Sequence, residues 1–243
     1  RLEKAVQART RELEDANAQL NELNDRISAI DRSKTSMLSS IAHELRTPAN
    51  GFFGATELIL EDFKEQIDEE LLEIFRISKK RLQKLMDDAY LLIGLRREKD
   101  DELLCSEGLR DLIYTTIVDA RIEAELATTF EEENADVKVS CQLFPLALKK
   151  LLAVGDGFAV ENKMTLHVAG SGSGLKTNLE VPGAHLPEEK LEVFFDDFII
   201  EESDVPRGNL GLQPTVAREA VTGMGGELTV ANSGSGLCFE LKI

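Results

Sequence analysis

The stretch Ser40-Ile-Ala-His-Glu-Leu-Arg-Thr-Pro48 holds an imidazole, a carboxylate and a hydroxyl within five residues. On a helix of about 100° per residue, His43 lies two positions from both Ile41 and Leu45. It therefore points away from the apolar stripe those two share and faces solvent. Glu44 sits beside it, and Thr47, four residues on, projects from the same face one turn away. A neutral imidazole can attack a phosphoryl group when a neighbouring carboxylate accepts the proton from its other ring nitrogen and fixes the tautomer. His43 is thus a candidate phosphoryl acceptor with Glu44 as its base. The Thr47 hydroxyl is placed to orient a water for in-line attack on an acyl phosphate presented by a partner. Pro48 removes a backbone donor and is expected to kink the helix.

The element that must carry these groups begins at the first residue. Leu2, Val6, Leu13, Ala16, Leu20, Leu23, Ile27, Ile30, Met37 and Ile41 recur in steps of three and four, interrupted by Arg9 and Lys34. The remaining positions are largely charged or amide side chains. A stripe this narrow and sustained predicts a two-stranded coiled coil, with a second copy of the chain as the simplest partner. A second helical pattern is predicted over 68–96, with Leu71, Phe75, Leu82, Leu85, Ala89 and Leu92 on one stripe, after a break at 62–66. Two antiparallel helices per chain, dimerised, give a four-helix bundle. The charged run 96–102 reads as a linker.

Beyond residue 102 the periodicity becomes mixed. Helices are predicted over 107–128, 146–154, 188–198 and 213–222, and strands over 137–142, 164–168, 175–181, 227–230 and 236–243. The pair Gly155 and Gly157 is expected to break the second of these helices. Such a mixture predicts an α+β sandwich with helices on one face of a sheet. Three domains follow: a coiled-coil helix (1–33), a dimerisation and phosphotransfer bundle (34–98), and an α/β sandwich (101–243).

Composition narrows the partners. Asp and Glu outnumber Lys and Arg by 45 to 28, giving a formal net charge of −17, which argues against nucleic acid. Cys105, Cys141 and Cys238 form no CxxC pair, so they read as thiols in a reducing compartment, and no metal site is expected. No run of about 18 apolar residues is present. The pattern is that of a cytoplasmic protein, or of the cytoplasmic part of a longer, membrane-bound sensor.

His43-Glu-Leu-Arg-Thr-Pro48 resembles the phosphoacceptor motif of two-component sensor histidine kinases. Further features resemble that family's Bergerat-type ATP-binding domain. Val193-Phe-Phe-Asp-Asp-Phe198 is similar to its Phe-containing box. Gly208-Asn-Leu-Gly-Leu212, a helix, and Gly225-Gly-Glu-Leu-Thr-Val230 are similar to its last glycine box. The resemblance implies Mg-ATP as cofactor, with Gly183, Gly208 and Gly211 at the nucleotide. It also implies a homodimer and, as partner, a response-regulator receiver domain.

Several expected contact residues are replaced. Val154 and Phe158 stand where the family has two Asn, one of them a magnesium ligand. Val181 stands for the adenine-reading Asp, His185 for a glycine after it, and Arg207 and Asn209 for glycines near the phosphates. An adenine amine facing Val181 goes unpaired, costing about 1–3 kcal/mol, and triphosphate charge without its metal is uncompensated. His167 and His185 read as structural or surface residues.

The first expectation is therefore a core with a degenerate ATP-binding domain, whose His43 exchanges phosphoryl groups with a receiver aspartate, or which dephosphorylates that partner. The alternatives are an ATP-dependent autophosphorylating kinase and a non-catalytic regulator of another histidine kinase.

Overall fold

In the computed structural model, residues 9–10, 13, 16–17, 19–21, 23, 26, 45–63, 67–97, 104–105, 108–131, 139–171, 174–195, 205–207 and 210–243 are described. The chain divides into two units, residues 1–64 and 65–243.

In the first unit, every described residue up to position 26 is helical, and Leu13, Leu20 and Leu23 of the heptad stripe are more than half exposed. A second described stretch, residues 45–62 (α1), runs unbroken through Pro48. Gly51 and Gly54 weaken its helical propensity, and Thr56 Oγ1 donates back to the Phe52 carbonyl at 2.6 Å. Leu45, Phe52, Leu58 and Ile59 are exposed along it, whereas Phe53 is buried.

The second unit opens with α2 (Glu69–Arg97). Asp68 starts it, its carboxylate accepting from the Glu70 N–H at 2.9 Å, with Glu69 and Glu70 at the positive end of the helix dipole. Of the predicted stripe, Phe75, Leu85, Ala89 and Leu92 are half-buried, while Leu71 and Leu82 are exposed. There follow β1 (Leu104–Cys105), α3 (Leu109–Ala120), β2 (Glu125–Phe130), β3 (Val139–Ser140) and α4 (Leu143–Phe158). The chain ends with β4 (Lys163–Ser171), β5 (Gly174–Pro182), α5 (Glu188–Leu191), α6 (Gln213–Gly223), β6 (Glu227–Asn232) and β7 (Gly236–Lys242).

The main sheet has the order β2-β4-β5-β7-β6, in which only β2 and β4 run parallel. Along β5 every second residue, Leu175, Thr177, Leu179 and Val181, is buried, the period-two pattern of a strand with one covered face. Leu166, Phe239 and Leu241 from the neighbouring strands join the same core. Helices α3, α4 and α6 cover it, and Phe144, Leu148, Leu151 and Leu152 of α4 are fully buried. The α+β class and the helices-on-one-face sandwich are as expected.

Three boundaries differ from expectation. The predicted helix 107–128 stops at Ala120, where Arg121 turns left-handed (φ 50°) and the chain enters β2. The cause is tertiary: the Asp156 carboxylate accepts the Glu123 and Ala124 N–H groups at 2.8–3.2 Å, and Asn162 O accepts Glu125 N at 2.9 Å. This seats the segment beside β4.

The Gly155–Gly157 pair does not break α4, which begins earlier and continues to Phe158. These glycines are close-packing positions. A Cβ on Gly155 would lie 2.7 Å from Leu179 and 2.9 Å from Met164, and one on Gly157 would lie 2.8 Å from Leu210. Finally, the helix predicted over 188–198 is a single turn, followed by bends that bury Phe194 and Phe195. Phe194 lies against Phe158 and Phe239, with ring centroids 5.9 and 5.5 Å apart.

Nor are all cysteines thiols, because Cys141 is disulfide-bonded while Cys238 is free and half-buried. The antiparallel β1–β3 pair brings together segments far apart in sequence, which cysteine spacing could not reveal.

Candidate functional site

His43 and Glu44 lie outside the described residues, as does Gly208. Thr47 is exposed on the first turn described for α1. Its hydroxyl is thus open to an approaching partner, which water-positioning chemistry requires.

The C-terminal unit contains the described residues that the resemblance assigns to a nucleotide site. On α4, Lys150, Val154 and Phe158 follow one another at four-residue spacing and form one stripe. Val154 and Phe158 are fully buried, as is Val181 on β5. Gly183 follows β5 in a left-handed turn (φ 72°), where its N–H donates to the Ser235 carbonyl at 3.1 Å. Val205 and Leu210 are buried in the same core, and both would touch a Cβ on Gly157. Buried apolar side chains thus stand at the positions where the resemblance leads one to expect a metal-holding amide and an adenine-reading carboxylate.

Arg207 closes this corner. Its N–H donates to the Gly157 carbonyl at 3.0 Å, while its guanidinium donates to the Asn162 side-chain Oδ1 at 2.7 Å and to Asp156 Oδ1 at 3.4 Å. Asp156 thus holds the backbone at 123–124 and the Arg207 side chain together. Gly211 (φ 60°) is covered from outside, since a Cβ there would lie 3.1 Å from Leu85 of α2.

The residues that sequence reasoning missed lie beside this contact. Asp88 of α2 is only 1% exposed and is ion-paired to Lys150 Nζ; its second carboxylate oxygen has no hydrogen-bond partner. A signal was present, because Asp88 falls three residues after Leu85 and four before Leu92, inside the apolar stripe. Lys84, one turn before Asp88, has its pKa lowered by burial of its ammonium, against the attraction of Asp88. Of the other histidines, His185 is exposed, and His167 Nδ1 lies 2.6 Å from Thr129 Oγ1 across the β2–β4 pair. Among the described residues, no three His, Cys, Asp or Glu converge as a metal site, and no helix is long and apolar enough to cross a membrane.

A helical phosphoacceptor-type segment followed by a mixed α/β sandwich with three helices on one sheet face defines a histidine-kinase type of core. Residues 33–92 match the His Kinase A (phospho-acceptor) domain. Over that stretch the chain carries a domain of the histidine-kinase phospho-acceptor type.

It is 26% identical over 251 residues to the sensor histidine kinase AruS of Pseudomonas aeruginosa, covering 96% of this chain and 25% of that protein. To the aerobic respiration control sensor protein ArcB of Escherichia coli it is 25% identical, covering 90% and 30%. The chain thus spans about a quarter to a third of the length of these relatives.

Among solved structures, the Acinetobacter baumannii histidine kinase AdeS superposes with a TM-score of 0.57 at 19% identity, covering 83% of this chain and 96% of that one. The histidine kinase ThkA, solved in complex with the response regulator TrrA, gives 0.60 at 17% identity, covering 87% and 63%. ShkA in complex with AMPPNP gives 0.58 at 18% identity, covering 85% and 45%. These likenesses establish the fold.

Proposed function

We propose that this chain is a dimeric two-component signalling core in which His43 exchanges a phosphoryl group with a receiver-domain aspartate, and that it works without the family's usual use of ATP. The observation that supports this reading is apolar packing: Val154, Phe158 and Val181 are fully buried where the resemblance leads one to expect polar ligands, and Val205 and Leu210 lie next to Gly157. These residues do not fit Mg-ATP, so no step is routed through it.

In the exchange, a ring nitrogen of neutral His43 attacks the phosphorus of a receiver acyl phosphate. The N–P bond forms as the P–O bond to the aspartate breaks, and the aspartate leaves as a carboxylate. Glu44 takes the proton from the other ring nitrogen, so charge does not accumulate on the imidazole. In the reverse direction the same proton returns. For dephosphorylation, the exposed Thr47 hydroxyl orients a water toward the same phosphorus, which yields inorganic phosphate and the free aspartate.

A homodimer is supported by the exposed stripe Leu13, Leu20 and Leu23. A receiver partner is supported by the ThkA–TrrA complex, in a protein of the same fold. We place the functional boundaries near 33 and 98–101, and the chain on the cytoplasmic side of a longer sensor.

The competing reading is an ATP-dependent autokinase, supported by the AMPPNP complex of ShkA. Incubating the purified chain with γ-labelled Mg-ATP and, separately, with a phosphorylated receiver decides between them. The expected result is label on His43 only from the receiver, absent in His43→Ala. Loss of phosphate release in Thr47→Ala, with transfer retained, is expected for the phosphatase role. Rapid labelling from ATP alone would overturn the proposal.

A further inference from the structure

Cys141 is held in a disulfide and Cys238 is free. The sequence has one further cysteine, Cys105, so within a single chain the bond has one possible partner. Strand pairing agrees, because it sets Cys105 opposite Val139 and Leu104 opposite Ser140, directly before Cys141. The two sides of this joint are held unequally. Val139 and Ser140 are buried, and the Ser140 hydroxyl accepts the Leu143 N–H at 3.0 Å at the start of α4, whose Phe144, Leu148 and Leu151 are fully buried. Strand β1 is two residues long and pairs, among the described residues, with β3 alone. So short a pairing is marginal by itself and frays readily. A bond to Cys141 fixes β1 to a base that the core already holds. Cys141 is half-buried, which leaves it within reach of an attacking thiol.

We propose that Cys105 and Cys141 form a reversible thiol–disulfide clamp that sets the length of the tether between α2 and the sandwich. With the bond closed, the span between fixed points runs from Arg97 at the end of α2 to Leu104; with it open, the span runs to Leu109 at the start of α3. At about 3.4 Å per residue, its longest reach grows from about 24 Å to about 41 Å. Closure consumes two cysteine thiols and one small-molecule disulfide of the glutathione type. One cysteine thiolate attacks the oxidant and expels a thiol, and the second attacks the resulting mixed disulfide and expels the other. Two electrons pass to the oxidant, the two cysteine protons end on the released thiols, and reduction runs the same steps backwards. The proposal rests on the cytoplasmic placement proposed above, where thiols are kept reduced and a disulfide serves sensing rather than permanent bracing.

The test uses the full chain carrying Cys238→Ser, equilibrated in millimolar glutathione buffers from reduced to oxidised, and read by acid-quenched alkylation, peptide mapping and hydrogen exchange. A linked Cys105–Cys141 peptide is expected in oxidised buffer, and two alkylated thiols in reduced buffer. On reduction the amides at 104–105 are expected to exchange at least tenfold faster, with those of β5 unchanged. Cys105→Ser is expected to match the reduced protein in either buffer. Free thiols in oxidised buffer, a linked peptide that reduced glutathione does not open, equal exchange at 104–105 in both states, or loss of β5 protection together with β1 would each overturn the proposal. Acid-quenched alkylation of the chain in cells grown without added oxidant separates the two readings. A bond found closed there, though glutathione opens it in the purified chain, overturns the cytoplasmic placement and leaves the clamp.

Discussion

Replacing Lys150 by Met and Asp88 by Leu, singly and together, probes the energetics of the α2 contact. The two partners differ in access to water, since the Lys150 side chain is 15% exposed and that of Asp88 1%. When Asp88 is removed, the Lys150 ammonium can turn on its long stem toward solvent, and the expected loss is about 1–2 kcal/mol. When Lys150 is removed, the carboxylate stays buried with no partner on either oxygen, and the expected loss is about 3–5 kcal/mol. The double variant replaces the pair by apolar groups of similar size and is expected within about 1 kcal/mol of the wild type. For a domain of this size each kcal/mol moves Tm by about 2–4 °C, so Lys150→Met should melt roughly 6–20 °C low. Chemical denaturation of all four proteins gives the coupling energy directly. Equal losses in the two single variants, or a double variant showing their sum, would refute the reasoning, because neither fits a buried pair with asymmetric solvent access.

Gly155→Ala gains helical propensity of about 1 kcal/mol, but its methyl must enter space held by the buried Leu179 and Met164 side chains. Overpacking of about 1–3 kcal/mol outweighs the gain, and a Tm lowered by a few degrees is expected. Burial, then Glu180 and Glu240, raise the Cys238 thiol above its ordinary value. At pH 8 it should therefore alkylate more slowly than an unfolded control, and Glu180→Gln should narrow the gap. A raised thiol pKa contributes stability below the unfolded value that is lost as pH climbs through the folded one. Glu240 behaves oppositely, since hydrogen bonds from Lys176 and Lys242 hold its carboxyl below the usual range. Its contribution is present above the unfolded pKa and is lost as pH falls through the folded value, so Glu240→Gln should flatten the acid limb of the stability curve.

The sequence by itself determined whatever depends on local order. The phosphoacceptor segment around His43, the heptad stripe, α2, the paired strands β4 and β5, and the closing α6–β6–β7 run were all legible. Periodicity and contiguous motifs survive in one dimension, and the α+β class followed from them. The apolar residue types at 154, 158 and 181, on which the expectation of impaired ATP binding rests, were legible in the same way.

Only the tertiary structure decided the rest, because the causes lie on distant segments. Helix α3 gives way to β2 at residues whose backbone is bound by Asp156, more than thirty positions later in the chain. Gly155 and Gly157 read locally as breakers but serve α4 as points of close approach for Leu179 and Leu210. Cys141 found a disulfide that spacing did not suggest. Asp88 lies inside the apolar stripe of α2, but its partner Lys150 is 62 positions away and emerges only from the tertiary structure. Local sequence records what a residue prefers, whereas the packing of remote elements decides whether that preference is met or overridden.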